Sequence, residues 1–357
     1  MTIQSTAARP LATLHRPGKD RPDTRALLAR AVEAFAEGRV AQGSSAPAGL
    51  TDAQINEQLL GYVYGNLPQP DRLALTRVSG VRDRALAMSR AGEQKEAEGA
   101  MKMSRFLLSA SGLSPLGRAA ADTLQQAAES YLSYRRGDFA DASARMTLAI
   151  EATDRLADAW GESRFTTGRR IHLLHNLMRV EARRGAWREA MTLGTGILAH
   201  LAGASTGPRL PALDRPTPPM DAADARGFTG VVTATVAEVL ASVPDAEARE
   251  LLAPLAGVAH AAGGPAADGW GWISLKSAAL AGDPRAFLEG AAPFLRAGRG
   301  RGPVLWYAVA LDVLRAARPL GSASAGVAEI EAALGTEPRV PACMRPVAGA
   351  GLLKATS

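Results

Sequence analysis

The chain is 357 residues long, 47% hydrophobic, 5% aromatic and 21% charged, with a formal net charge of +6. That length supports a sizeable core in roughly two domains, and the apolar content is too high for a disordered basic chain. One cysteine, Cys343, excludes an intramolecular disulfide framework and a zinc site of clustered cysteines, and it fits a reducing, cytoplasmic compartment.

Residues 1–23 carry Arg9, Arg16 and Lys19 ahead of the first acid, Asp20, and lack the apolar stretch of a secretory signal. They read as a disordered tail. No run of eighteen apolar residues offers a membrane span. A helical region is predicted over 24–202, interrupted by a Gly-, Ser- and Pro-bearing loop at 39–50. Thr51 and Asp52 then start a helix ahead of Ile55, Leu59 and Leu60.

Helical spacing dominates the middle of the chain. Leu116, Ala120, Leu124, Ala127 and Tyr131 form an amphipathic stripe, repeated by Phe139, Ala142, Met146 and Ile150, and again from Trp187 through Ala190, Ile197 and Leu201. The alternating Val/Ile/Thr/Tyr pattern of strands is scarce, which predicts an all-α fold. Prolines 208, 211, 216, 218 and 219 then make residues 203–224 a linker or an extended strap. A second helical region is predicted over 225–336, with a turn at Gly282-Asp283-Pro284. The Gly- and Pro-bearing stretch 337–357 reads as a flexible tail.

An internal repeat is the most specific signal. Three units, 85–108, 127–152 and 175–201, each close a helix at a glycine (Gly92, Gly137, Gly185) and carry an alanine five residues later (Ala97, Ala142, Ala190). An aromatic follows the glycine by two residues in two units, as Phe139 and Trp187; the third has Gln94. Glycine accepts the left-handed conformation that ends a helix, and a small alanine lets two helices approach. The aromatics are expected to fill the hairpin cores.

This arrangement resembles the tetratricopeptide repeat over about 85–202. Asn176, Leu177, Gly185, Trp187 and Ala190 stand where that family places its signature, and Ala149 fits its later small position. The glycines are 45 and 48 residues apart, against a family period of about 34. Met178 and Ser130 replace the usual small residue of the first helix, and the closing proline is missing. The resemblance implies an all-α solenoid of helical hairpins, in which one face of each first helix lines a concave groove. Carried onto this sequence, that face holds His172, His175, Asn176, Arg179 and Arg183. The preceding unit contributes Tyr131, Tyr134 and Arg135, and the first unit Arg82, Leu86 and Arg90. Guanidinium forks, an amide and phenols suit a carboxylate, a phosphate or an acidic peptide.

Catalytic signatures are missing: no Gly-x-Ser-x-Gly elbow, no His-Glu-x-x-His and no Walker A loop. Glu151, Asp154, Asp158 and Glu162 line one helical face and read as a solvated stripe rather than a cation site. His172 and His175 lie one turn apart but have no third metal ligand in view. Gly298-Arg299-Gly300-Arg301-Gly302 reads as a flexible basic connector. Five lysines against 36 arginines point to the coding bias of a GC-rich bacterial genome.

The expected function is a non-enzymatic scaffold or adaptor, without metal or cofactor, holding an acidic or carboxylate-bearing peptide or protein partner. Two readings stand beside it. One is a helical enzyme, or an accessory subunit of one, using His172, His175 and Arg179. The other is a transcriptional regulator with a repeat-type sensor, drawing on Arg169, Arg170, Arg179, Arg183, Arg184 and Arg188 for nucleic acid.

Overall fold

The computed structural model describes residues 23–40, 52–216, 218, 220–262, 268–321 and 324–346. Among them are fourteen α-helices and no strand, so the fold is all-α. The expectations for residues 1–22, 41–51 and 347–357 lie outside the described residues.

Two helices, α1 (Thr24–Val40) and α2 (Asp52–Asn66), precede three hairpins. The hairpins pair α3 (Gln69–Ala91) with α4 (Gln94–Ala110), α5 (Pro115–Arg136) with α6 (Phe139–Trp160), and α7 (Arg164–Arg183) with α8 (Trp187–Ala202). Each turns at its expected glycine: Gly92, Gly137 and Gly185 have φ of 90°, 81° and 83°, the left-handed region. Ala97, Ala142 and Ala190 are each 0% exposed, packed where the paired helices come closest. This is a repeated helical-hairpin fold, compatible with a tetratricopeptide-like solenoid.

The two first-helix substitutions that depart from the family pattern, Ser130 and Met178, have physical compensations. The Ser130 hydroxyl donates to the Ala142 carbonyl at 2.7 Å, so the added oxygen becomes a cross-hairpin hydrogen bond. Met178 is fully buried, and its space comes from Gly194 on the opposite helix, where a Cβ would lie 2.9 Å from the Met178 methyl.

The turn aromatics are less central than the repeat suggested. Trp187 is half-buried against the main core, and Phe139 is half-buried and edge-on to Tyr134 at 6.0 Å. Trp187→Ala should therefore cost about 2–3 kcal/mol and Phe139→Ala only about 1–2, below the full-burial range for such truncations. Urea unfolding midpoints give the order.

Residues 204–216 run as a strap held against the hairpins. Leu210 lies over Gly196, where a Cβ would come within 2.6 Å of the Leu210 Cγ, and Leu213 is buried. Arg215 donates to Asp158 at 2.5 Å and to Glu162 at 3.1 Å. Six helices follow: α9 (Ala222–Ala241), α10 (Asp245–Ala262), α11 (Asp268–Ala281), α12 (Pro284–Arg296), α13 (Pro303–Ala317) and α14 (Ala325–Thr336). One apolar core continues across the strap, from Leu27 through Ile171 and Val236 to Trp306 and Met344. The first helix, α1, packs on α12, α13 and α14, far from it in sequence.

Part of the expected C-terminal tail is packed. Val340 and Met344 are buried, and Glu337 accepts from Arg39, Arg299 and Tyr307. Arg299, within the glycine-arginine connector, also donates to the Arg39 carbonyl at 2.8 Å. These hydrogen bonds make residues 299 and 337 a clasp between the two ends of the described chain. No helix among the described residues is long and apolar enough to cross a membrane.

Candidate binding cavity

The face that the repeat alignment assigned to a groove becomes the wall of a cavity of about 450 Å³. The first helices of the three hairpins supply it. Arg82, Leu86 and Arg90 come from α3; Tyr131 and Tyr134 from α5; His172, Asn176 and Arg179 from α7. On each helix these residues recur every three or four positions, which places them on one side. The Ser163–Thr166 capping box fixes the start of α7, and with it the rotation of this face.

Three expected residues fall elsewhere. His175 is buried, and its Nε2 lies 2.9 Å from the Thr235 hydroxyl on α9. Thr235 also lies 3.3 Å from the Val231 carbonyl, and its contact with His175 ties α7 to α9. Three residues on from His172, His175 is rotated toward the neighbouring helix rather than the cavity. Arg183, near the end of α7, is exposed and does not line the cavity. Arg135 is exposed too, but its guanidinium donates to the Tyr131 hydroxyl at 3.1 Å and lies 6.0 Å from that ring's centre. It braces a lining residue from outside. Arg90 approaches the same ring at 5.8 Å.

The deep end holds a residue that the groove assignment missed. Arg169 is 3% exposed and lines the cavity beside Arg82, which is 5% exposed. The Arg169 guanidinium donates to the Thr123 carbonyl at 2.8 Å and to His172 Nδ1 at 3.2 Å. Guanidinium nitrogens only donate, so His172 Nδ1 accepts and the imidazole is the neutral tautomer protonated at Nε2. Burial, together with the like charge of Arg82, pulls Arg169 down to about 9. Arg82 binds the exposed carboxylate of Asp83 at 2.9 Å. Four guanidiniums and one carboxylate thus line a single cavity. Arg169 lies three residues before His172 and seven before Asn176, so helical spacing alone was sufficient to find it.

The rest of the lining is apolar apart from Ser130: Leu60, Leu124, Met146 and Val180, with Ala127 and Ala128. Leu60 belongs to α2, which the repeat pattern does not include. Val63 and Leu67 of that helix are buried against Leu75 and Val78 of α3 and against Ala119–Ala121 of α5. Tyr62 stacks on Phe165 of α7 at 4.6 Å and meets Trp160 edge-on at 5.8 Å. So α2 packs on α7, shares an apolar cluster with the amino-terminal parts of α3 and α5, and sets Leu60 in the cavity wall.

Other charged clusters resolve into ion pairs. Asp154 and Glu162 of the acidic stripe hold Arg170 at 2.6 and 2.7 Å, and Arg170 is fully buried. Burial would raise Glu162, but the bonds from Arg170, Thr166 and Arg215 hold it below its usual range. Arg184 pairs with Glu181 at 2.5 Å and Arg188 with Glu250 at 3.2 Å. The six clustered arginines therefore do not present one basic face. No group of three or more His, Cys, Asp or Glu among the described residues could hold a metal ion. Comparison with protein-family models, curated proteins and solved structures finds no match.

Proposed function

We propose that this chain is a non-catalytic binding module of tetratricopeptide-like design that holds a carboxylate-bearing partner in the cavity between α3, α5 and α7. The observation that carries the reading is the convergence of four guanidiniums from α3 and α7 on one concave site. Charge-assisted bonds to a carboxylate are about twice as strong as neutral ones, and they gain further where water is excluded. An anion arriving beside Arg82 and Arg169 would offset the mutual repulsion that burial now makes costly. A reducing, cytoplasmic setting fits the single half-buried cysteine.

The enzyme reading asked His172 and His175 to act together, and only His172 borders the cavity. The regulator reading asked for a continuous basic face, and Arg170, Arg184 and Arg188 are engaged by acids instead. The test reverses the two exposed lining cations. Arg90→Glu with Arg179→Glu should weaken binding of a fluorescent oligoglutamate peptide by about tenfold or more while far-UV circular dichroism stays unchanged. Unchanged affinity would overturn the proposal. Duplex DNA serves as a second probe, and tight binding to it that the reversal abolishes would favour the regulator.

A further inference from the structure

Resting on that reading, we infer that the natural occupant of the cavity is a small amphiphilic carboxylate, seated head-inward against Arg82 and Arg169. A through-running peptide does not fit the groove's shape. The groove of a hairpin solenoid is open at both ends, but here α2, stacked on α7 through Tyr62 and Phe165, puts Leu60 into the lining. The cavity has two different ends. Arg82, Arg169 and His172 are buried at one end, whereas Arg90 and Arg179 are exposed at the other, the mouth. Eight residues separate Arg82 from Arg90 along α3, so the ends lie about 12 Å apart. A volume of about 450 Å³ is within the size range of small-molecule sites and below the needs of a folded partner.

Between the two ends the walls are mostly apolar or aromatic, with the Asn176 amide and Ser130 among them. Leu86, Leu124, Met146 and Val180 line the passage, and Tyr131 and Tyr134 flank it nearer the mouth. A ligand entering this passage gains most by burying an apolar body, and a polyacidic chain would leave charges against those side chains. The two buried guanidiniums reward one anionic group at the far end. Arg82 already shares its charge with Asp83, so a singly charged carboxylate matches that end better than a doubly charged phosphate. The exposed cations at the mouth are screened by solvent; they steer entry and add little to retention.

The test uses the intact chain and isothermal titration calorimetry with octanoate, octyl phosphate, octylamine, acetate and the oligoglutamate peptide. Octanoate is expected to bind one to one, with acetate and octylamine weaker by about tenfold or more. Arg169→Met should remove octanoate binding, whereas Arg183→Ala, at an exposed position outside the cavity, should change it by less than about threefold. Arg169 is buried and hydrogen-bonded, so that variant could fail to fold. Leu86→Trp fills the passage without touching a charge, and it should abolish octanoate binding at unchanged helical content. Octanoate binding that survives Leu86→Trp in a folded protein overturns the inference. Octyl phosphate binding more tightly than octanoate overturns the choice of head group. If oligoglutamate binds and octanoate does not, this inference falls and the proposed function stands; if neither binds, both fall.

Discussion

Trp306→Ala is expected to cost about 3–5 kcal/mol of folding stability, at the upper end for a single truncation. The indole is 1% exposed and stacks on Phe35 of α1, with ring centres 4.6 Å apart and planes at 23°. Its Nε1 donates to the Leu295 carbonyl of α12 at 2.9 Å. Removing it opens a cavity at the junction of α1, α12 and α13, and it deletes one of the contacts that hold the first helix there. On the side where α1 meets α12 the fit is tight. A Cβ on Gly38 would overlap the Leu295 carbonyl oxygen, so Gly38→Ala should force α1 away from α12 and destabilise by a comparable route. Urea unfolding gives both values. A loss under about 1 kcal/mol for Trp306→Ala would mean that α1 is only loosely docked.

That junction marks the limit of what the sequence discloses. The hairpins were legible because their determinants are local: a glycine that must adopt positive φ, and an alanine that must be small, five residues apart. Local rules fix local pairs. They carry no information that α1 crosses to helices near the far end of the chain, because that docking depends on shape matching at Gly38, Phe35 and Trp306. The same division runs through the site. Arg82, Arg90, Tyr131, Tyr134, His172, Asn176 and Arg179 could be placed on one side by helical spacing. Arg169 obeyed the same spacing and was overlooked because it read as part of a basic cluster. Leu60 could not have been found, since α2 carries no repeat signature and reaches the cavity only through tertiary contacts. The sequence also could not tell which charges would meet, so Arg170 and the acidic stripe read as separate surfaces when they are partners.

Lys276→Met is the second large effect, and it separates a charge pair's net contribution from the damage of breaking it. Lys276 Nζ donates to both carboxylate oxygens of Asp312, at 2.8 and 3.0 Å, with the two side chains 5% and 4% exposed. Taking one partner away leaves a buried carboxylate, which typically costs about 3–5 kcal/mol. Arg315 also reaches Asp312, at 3.1 Å, so the loss should fall at the lower end of that range. Methionine keeps the apolar stem and the packing, which isolates the charge. The double variant Lys276→Met with Asp312→Leu should then regain most of the stability, because well-packed apolar residues often match or exceed a buried ion pair. Chemical denaturation at neutral pH measures both. Full loss persisting in the double variant would show that the pair specifies how α11 sits on α13, a role that apolar packing does not replace. Recovery would show that the pair is tolerated in this core, and that the α11–α13 contact is held by the apolar residues around it, Trp272, Ile273 and Val313 among them.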